Sequence, residues 1–159
     1  MQAGVVQSAL EGKHFYLRLI GDVRLPWCVT LENFCQASIA ENDIDAFSID
    51  LTQAANLDST TLGILAKVAL IARKSLNIKP QLHCTDDNIY RLLWSMGFEH
   101  IVEFLREPVT QLPKYTEVEF VNCDEEAVRT SVISAHEELM DIDNRNVGKF
   151  KELVDNLKK

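Results

Sequence analysis

The residues of this sequence best suited to chemistry are the hydroxyl and carboxylate side chains of one short stretch, Asp58, Ser59, Thr60 and Thr61. They lie between an alternating apolar segment and a long helical pattern, so they fall at a helix start, where four backbone N–H groups lack partners. Asp and Ser are preferred caps of such an end, which is one explanation of the stretch. The other explanation is regulatory, because a phosphate on Ser59 would be favoured by the positive helix end and would place about two negative charges beside Asp58.

The sequence offers no partner that would make one of these hydroxyls a nucleophile. No His or Lys lies close to Ser59 along the chain, and neither a G-x-S-x-G elbow nor a Gly-rich phosphate loop occurs. The scattered histidines and the four cysteines form no metal-binding or redox motif, so we predict no catalytic residue, no metal and no cofactor. The enzymatic alternative is a small cysteine hydrolase that uses Cys84 or Cys123, and it lacks a paired base.

Charge and hydropathy exclude several classes of partner. The 159 residues include 16 Lys and Arg against 24 Asp and Glu, a formal net charge of -8, which argues against nucleic acid and anionic membranes as ligands. The longest nearly uncharged stretch, residues 51–72, contains Asp58 and Lys67 and is too interrupted for a membrane span. The first residues lack the basic and apolar regions of a secretory signal, so we expect a cytoplasmic protein.

The elements that position residues 58–61 follow from the apolar periodicity. Over residues 4–106 the pattern predicts the order β-β-α-β-α-β-α-β, an α/β fold with a mixed sheet and helices packed against it. The predicted strands are 4–10, 14–20, 46–51, 81–84 and 101–105, with a break at 21–24 and a loop at 52–57. The predicted helices begin near Pro26, at Ser59 and at residue 87, and they end at Asn42, Asn77 and Gly97.

The pattern changes after residue 106. Residues 107–123 are predicted to form a linker with a short added strand at 116–121, and residues 124–159 a C-terminal helical extension with an interruption at 144–148. An apolar stripe runs along the first extension helix, at Val128, Val132, Ala135, Leu139 and Ile142. This stripe fits a helix packed back on the domain or a helix that contacts a partner or a second copy of the chain.

Three stretches of residues 4–106 resemble the STAS domain family (sulfate transporter and anti-sigma factor antagonist). Residues 58–63, DSTTLG, are similar to the family pattern D-S-[ST]-x-L-G that opens a helix after a strand. Residues 19–23, LIGDV, and residues 89–98, IYRLLWSMGF, resemble the family in the same order. On these grounds residues 1–106 are identified as a STAS domain. Thr61 departs from the Gly that is common there, and a β-branched residue at that position is compatible with a helix.

The resemblance implies an anti-sigma factor antagonist with no chemistry of its own. In such a protein a serine kinase would phosphorylate Ser59, with Thr60 as the rival acceptor, and a PP2C-type phosphatase would remove the phosphate. The unphosphorylated domain would bind an anti-sigma factor and the phosphorylated domain would release it. The loop at 53–57 is expected to dock the partner. The residues expected to support this loop and the docking surface are Asp50, Leu57, Asp58, Thr61 and Gly63.

The extension is similar to that of antagonists in proteobacterial secretion and biofilm switches, whose target can be an anti-sigma factor of the flagellar system. A homodimer is also compatible with the sequence. The alternative function is that of a STAS regulatory subunit of a transporter ATPase or of a signalling scaffold, because that role could use a hydroxyl at the same helix end. Nothing in residues 1–106 separates the two functions.

Overall fold

The computed structural model describes residues 4–159 of the chain. Strands and helices alternate up to residue 105, and two further helices follow. The strands are β1 (Val5–Glu11), β2 (His14–Val23), β3 (Ala46–Leu57), β4 (Gln81–His83), β5 (Glu103–Leu105) and β6 (Thr116–Glu117). The helices are α1 (Cys28–Glu41), α2 (Ser59–Leu76), α3 (Asp87–Ser95), α4 (Glu125–Ile142) and α5 (Arg145–Leu157), and single turns of 3-10 helix precede α1 and β5.

The strands form one mixed sheet in the order β5-β4-β3-β2-β1-β6. β1 is antiparallel to β2 and to β6, whereas β2, β3, β4 and β5 pair in parallel. The hairpin of β1 and β2 turns at Gly12, which has a φ of 60°. The predicted order β-β-α-β-α-β-α-β and the α/β class are therefore confirmed, as are the bounds of α2 from Ser59 to Leu76.

The sequence predicts a break at residues 21–24 and a loop at 52–57, and both predictions are wrong. β2 continues to Val23 and β3 to Leu57, and the two extensions pair with each other. The register shifts twice along them, and Gly21 adopts a φ of 71° at the second shift. Residues of this region that commonly form turns therefore lie where β-bulges bend the strands without ending them.

Smaller corrections concern the ends of later elements. β5 begins two residues later than predicted because the backbone N–H groups of Ile101 and Val102 bond to the carbonyl oxygen of Phe98 in the preceding turn. The short added strand is only the two residues of β6. The helical interruption is predicted at 144–148, whereas in the structure only residues 143–144 separate α4 from α5.

α2 lies between the sheet and α4, and this position explains its wide apolar surface. Ten of its eighteen residues are buried. Ala135 and Leu139 of α4 belong to the same core as the strand residues Ile49 and Leu51. Of the two interpretations of the extension, the structure has the helix packed back on the rest of the chain. The division of the chain into units at 1–106, 107–123 and 124–159 stays a prediction.

The other face of the sheet is polar and is covered by the segment between β5 and β6. Asp50 points to this face because side chains alternate along a strand, and it is 2% exposed. The Arg18 Nε donates to its carboxylate at 3.2 Å, and the guanidinium lies 3.9 Å from the centre of the Tyr115 ring. Nδ1 of His83 lies 3.0 Å from the carbonyl oxygen of Glu107 in the covering segment.

α2 and α4 are the longest helices of the described chain, at eighteen residues each. α2 carries Lys67, Arg73 and Lys74, and α4 has a mixed polar and apolar surface. Across residues 4–159, no helix combines the length and the apolar character needed to cross a membrane.

Candidate functional site

The N-terminus of α2 is capped by Asp58, as the sequence predicts. One carboxylate oxygen of Asp58 accepts a hydrogen bond from the backbone N–H of Thr61 at 2.9 Å. The other oxygen accepts from the backbone N–H of Leu25 at 2.7 Å, just before α1. Asp58 thus caps its own helix and ties that helix end to the turn that precedes α1.

Because Asp58 does the capping, the hydroxyl of Ser59 is free to contact another part of the chain. Ser59 is the first residue of α2 and is half-buried. Its Oγ lies 2.8 Å from Nε2 of His136, a residue of α4. The fold therefore brings a histidine to the serine from 77 positions away in the sequence.

The surroundings of His136 define what each atom of this contact does. The ring is 1% exposed, and its Nδ1 lies 2.7 Å from the carbonyl oxygen of Val132, one turn earlier in α4. A carbonyl oxygen can only accept, so Nδ1 carries a proton, and in the neutral ring Nε2 then accepts from the Ser59 hydroxyl. Phe150 of α5 packs edge-on against the ring at 4.9 Å between centroids.

The two threonines that follow Ser59 have structural surroundings. Thr60 is 5% exposed, and Thr61 is completely buried. The hydroxyl of Thr61 donates to the carbonyl oxygen of Val23 at 2.9 Å, which joins the first turn of α2 to the end of β2. This bond is a structural role for a β-branched residue at the position where the STAS pattern commonly has Gly.

Gly63 is the point of closest approach between α2 and α4. A Cβ added to Gly63 would stand 2.3 Å from the carbonyl oxygen of Ala135, so no larger side chain fits without moving a backbone. Ala135 immediately precedes His136 in α4. The glycine therefore lets α4 approach closely enough for His136 to reach Ser59.

A polar cluster joins the same helices one turn further along α2. The Lys67 ammonium donates to the Glu32 carboxylate of α1 at 2.8 Å and to the Ser134 hydroxyl of α4 at 2.7 Å. The Ser131 hydroxyl donates to the other oxygen of Glu32 at 2.9 Å. Helices α1, α2 and α4 are thereby fixed to one another beside the Ser59 contact.

The remaining predicted site residues divide between this helix end and the opposite sheet face. Leu57 is half-buried at the end of β3, directly before Asp58, and residues 53–57 are a strand end rather than a loop. Asp50 lies within β3, eight residues before Asp58, which is roughly 25 Å along the chain at ~3.3 Å per residue. Its carboxylate binds Arg18 and the backbone N–H and hydroxyl of Thr52. Asp50 is thus separated from Ser59 and belongs to the polar sheet face.

Sequence analysis did not predict the contact of His136 with Ser59. The residue lies beside the apolar stripe of α4, between Ala135 and Leu139, where a histidine is usually a packed side chain. Its pairing with Ser59 depends on how α4 crosses α2. The one feature that could have suggested the contact is the spacing of Gly63 after Ser59, since a glycine inside a helix often marks a close approach.

The described cysteines do not support a thiol nucleophile. Cys84 is buried, and burial is the largest cause that raises the pKa of its thiol. Burial also raises the pKa of Cys35 to about 12. A thiol held in its neutral form is a poor nucleophile at neutral pH. Cys123 is exposed, and it has no histidine among its hydrogen-bond partners in the described chain.

The one grouping of metal-type side chains found in residues 4–159 consists of Glu99, His100 and Asp143. The Arg145 guanidinium donates to Asp143 at 2.7 Å and lies 3.7 Å from Glu99. These contacts hold the pKa of Asp143 well below its usual range. An arginine thus supplies the positive charge that a metal ion would bring.

Comparison with known proteins supports the fold. No model of a known protein family matches the sequence, and no curated protein matches it. Among solved structures, the anti-sigma factor antagonist SpoIIAA in its unphosphorylated form is similar, with 10% sequence identity and a TM-score of 0.52. The match covers 65% of this chain and 87% of that chain. At this identity the likeness shows the fold, which is STAS-like.

Proposed function

We propose that this protein is an anti-sigma factor antagonist that works as a phosphorylation-controlled binding switch, with Ser59 as the modified residue. The observation that carries the proposal is the Ser59 hydroxyl, which stands at the first residue of α2 and takes no part in capping. The STAS-like fold, shared with an anti-sigma factor antagonist, supports the class of function. In this proposal the protein is a substrate and a binding partner, and it is not an enzyme.

The accessibility of the three hydroxyls favours Ser59 over its neighbours. Ser59 is half-buried, whereas Thr60 is 5% exposed and Thr61 is enclosed and bonded to Val23. A kinase must bring the γ-phosphate of ATP within bonding distance of the acceptor oxygen, which requires an approach from solvent. Thr60, the rival acceptor, would need a larger opening of the first turn of α2.

The proposed modification changes the charge at a site that already carries a carboxylate. The Ser59 oxygen attacks the γ-phosphorus of ATP, the bond to the departing ADP breaks, and the hydroxyl proton passes to a base of the kinase. Hydrolysis by a PP2C-type phosphatase returns the hydroxyl and inorganic phosphate. The phosphoserine carries about two negative charges beside Asp58. A partner that binds the neutral surface would meet a strongly altered field and dissociate.

The surface proposed for partner binding is the end of β3 together with the first turn of α2. Gln53, Ala55 and Asn56 are exposed there, and Leu57 and Asp58 are half-buried. An anti-sigma factor bound to this surface would be withheld from its sigma factor. A serine kinase would bind an overlapping surface, because it must reach Ser59.

A capture experiment tests the proposal. Full-length protein with Ser59, Ser59→Ala or Ser59→Asp would be used as bait in an extract of cells that naturally produce it, and bound proteins identified by mass spectrometry. We expect an anti-sigma factor on the wild-type and Ser59→Ala baits, and a loss of about tenfold or more on Ser59→Asp. Asn156→Asp is the matched control, because it adds one charge at an exposed position of α5.

Equal capture by Ser59→Ala and Ser59→Asp would contradict the switch and leave Ser59 as a structural residue. A transporter ATPase retained by every bait would instead support the function of a regulatory transporter subunit. A loss of capture by Asn156→Asp equal to that by Ser59→Asp would show a general charge effect and would also contradict the assignment of Ser59.

A further inference from the structure

Helices α4 and α5, here called the C-terminal helix pair, pack on the core of the rest of the chain through Ala135 and Leu139, and three further places of contact with it differ in chemistry. The first is the end of α3, where side chains from the start of α5 bind the last backbone carbonyl groups. Arg145 donates to the carbonyl oxygen of Trp94, Asn146 to that of Met96 and Lys149 to that of Ser95, at distances of 2.8–3.2 Å. Donors and positive charges are favoured at a helix C-terminus, so this contact is stabilising.

The second place is the middle of α2. Gly63 lies against Ala135 with no space for a side chain, and Lys67 joins Glu32 to Ser134. These contacts depend on shape and on permanent charges. No modification of Ser59 changes their chemistry directly.

The third place is the contact of Ser59 with His136, and this one depends on the chemical state of a single hydroxyl. A single hydrogen bond of 2.8 Å joins Ser59 Oγ to His136 Nε2 and leaves no space between them. A phosphoryl group adds a phosphorus and three oxygens at this oxygen, and His136 is 1% exposed and enclosed by α2 and by Phe150. The group fits only if His136 moves or the Ser59 side chain turns away from it, and either change breaks the Ser59–His136 hydrogen bond.

Modification also changes the hydrogen bonding and the charge at this contact. In the neutral ring, Nε2 presents a lone pair to Ser59, because Nδ1 donates to Val132. That lone pair accepts from a hydroxyl, whereas phosphate oxygens are themselves acceptors, so the bond of the unmodified contact is lost unless Nε2 takes up a proton. The Asp58 carboxylate next to Ser59 repels a second negative charge, and the positive end of α2 attracts it.

We infer that the C-terminal helix pair is a cover over Ser59 that is closed by the Ser59–His136 hydrogen bond and opened by phosphorylation of Ser59. This inference rests on the proposed function, since it assigns a structural consequence to the same modification. In the unmodified protein the pair lies on α2 beside Ser59, which stays half-buried. In the phosphorylated protein His136 leaves Ser59, and the face of α2 that contacts α4 becomes exposed.

Hydrogen–deuterium exchange of the full-length protein tests the inference. Phosphoserine would be incorporated at position 59 during translation, and its amide exchange compared with that of the wild type, Ser59→Ala and Asn156→Asp. We expect phosphoserine to speed exchange in α4 and α5 about tenfold or more, with β1 to β5 unchanged. Ser59→Ala should give a smaller increase, because it removes the hydrogen bond without adding bulk or charge. Asn156→Asp should leave α4 exchange unchanged.

Unchanged exchange in α4 and α5 of the phosphoserine protein would overturn the inference. So would a uniform increase across the sheet, which would indicate general destabilisation, or an equal increase in Asn156→Asp. Capture of the anti-sigma factor by the same phosphoserine protein separates this inference from the proposed function. If capture is lost while exchange in α4 and α5 stays unchanged, the inference of a cover is wrong and the proposed binding switch is retained. If exchange rises and capture is unaffected, the proposed function is wrong.

Discussion

The N-termini of α2 and α3 are built from similar residues and differ in what their first helical side chain contacts. Asp58 caps α2, and Asp86 caps α3 by accepting from the backbone N–H groups of Asn88 and Ile89 at 2.8 and 3.0 Å. Each helix therefore begins with a preferred cap residue that accepts hydrogen bonds from backbone N–H groups of the first turn. Capping explains the aspartates equally well at the two ends.

The next residue separates the two helix ends. At α3 it is Asp87, an exposed carboxylate that pairs with Arg106 at the surface. At α2 it is Ser59, which lies under α4 and bonds to the buried His136. One helix end thus carries a permanent charge in solvent, and the other carries a neutral hydroxyl beside a second part of the chain. In the proposed mechanism, phosphorylation of that hydroxyl changes its contact with α4.

The largest effect should follow from filling the space between α2 and α4. Gly63→Ala places a Cβ against the backbone of Ala135 and should lower the free energy of unfolding by about 3 kcal/mol. Gly148→Ala is the matched control, because a Cβ there meets no atom within 4 Å in α5. It should raise the free energy of unfolding by about 0.5–1 kcal/mol. Urea unfolding measures both. Equal effects of the two substitutions would contradict the close approach of α4 to α2.

A smaller loss should follow from removing the Ser59 hydroxyl. Ser59→Ala leaves Nε2 of the buried His136 without its partner and should cost about 1–2 kcal/mol in urea unfolding. Ser95→Ala is the comparison at α3, where the hydroxyl donates to the carbonyl oxygen of Leu92 in its own helix. That substitution should change the free energy of unfolding by no more than about 0.5 kcal/mol in either direction, because the lost bond is offset by the higher helix propensity of Ala. A Ser59→Ala protein as stable as the wild type would mean that the Ser59–His136 bond contributes nothing to the helix contact.

The two cap residues should contribute similarly to the free energy of unfolding. The helix ends would then differ only at the residue that follows each cap. Asp58→Ala and Asp86→Ala each remove a cap and should each cost about 1 kcal/mol of unfolding free energy. Thermal and urea unfolding measure the two losses side by side. If only Asp58→Ala destabilised the protein, the two helix ends would differ already at the cap, which would contradict a difference that begins at the following residue.

The smallest effect concerns acid conditions at the start of α3. The hydrogen bond from Arg106 is the largest cause that lowers the pKa of Asp87 below its usual 3.8. A lowered pKa in the folded state means that the stabilising contribution is present above pH 3.8 and is lost as the pH falls through the folded value. The stability difference between wild type and Asp87→Ser should therefore shrink below pH 3.8. A difference that stays constant from neutral to acid pH would contradict this pairing.

Most of the fold can be predicted from the sequence, because local patterns determine it. Alternating apolar residues marked the strands, and Asp58, Asn77 and Gly97 marked the ends of α2 and α3. The extensions of β2 and β3 could not be predicted in this way. Gly21, Asp22 and Asn56 favour turns, and the extensions lack alternating apolar residues, so only the pairing of the two strands makes them strands.

The site could be predicted in part. The motif identified the helix end and Ser59, and the cap preference identified Asp58. The contact with His136 could not be predicted, because it depends on the crossing of α2 and α4 at Gly63 and Ala135. The role of Asp50 was also beyond a local pattern, since its partner Arg18 lies on the neighbouring strand.

Transfer of labelled phosphate tests most directly whether Ser59 is the control point. Purified wild type, Ser59→Ala and Thr60→Ala proteins would be incubated with radiolabelled ATP in an extract of cells that naturally produce the protein, and then recovered and counted. The proposed function predicts label on the wild type and on Thr60→Ala, and none on Ser59→Ala. Label that persists in Ser59→Ala, or a wild type that acquires none, would contradict it.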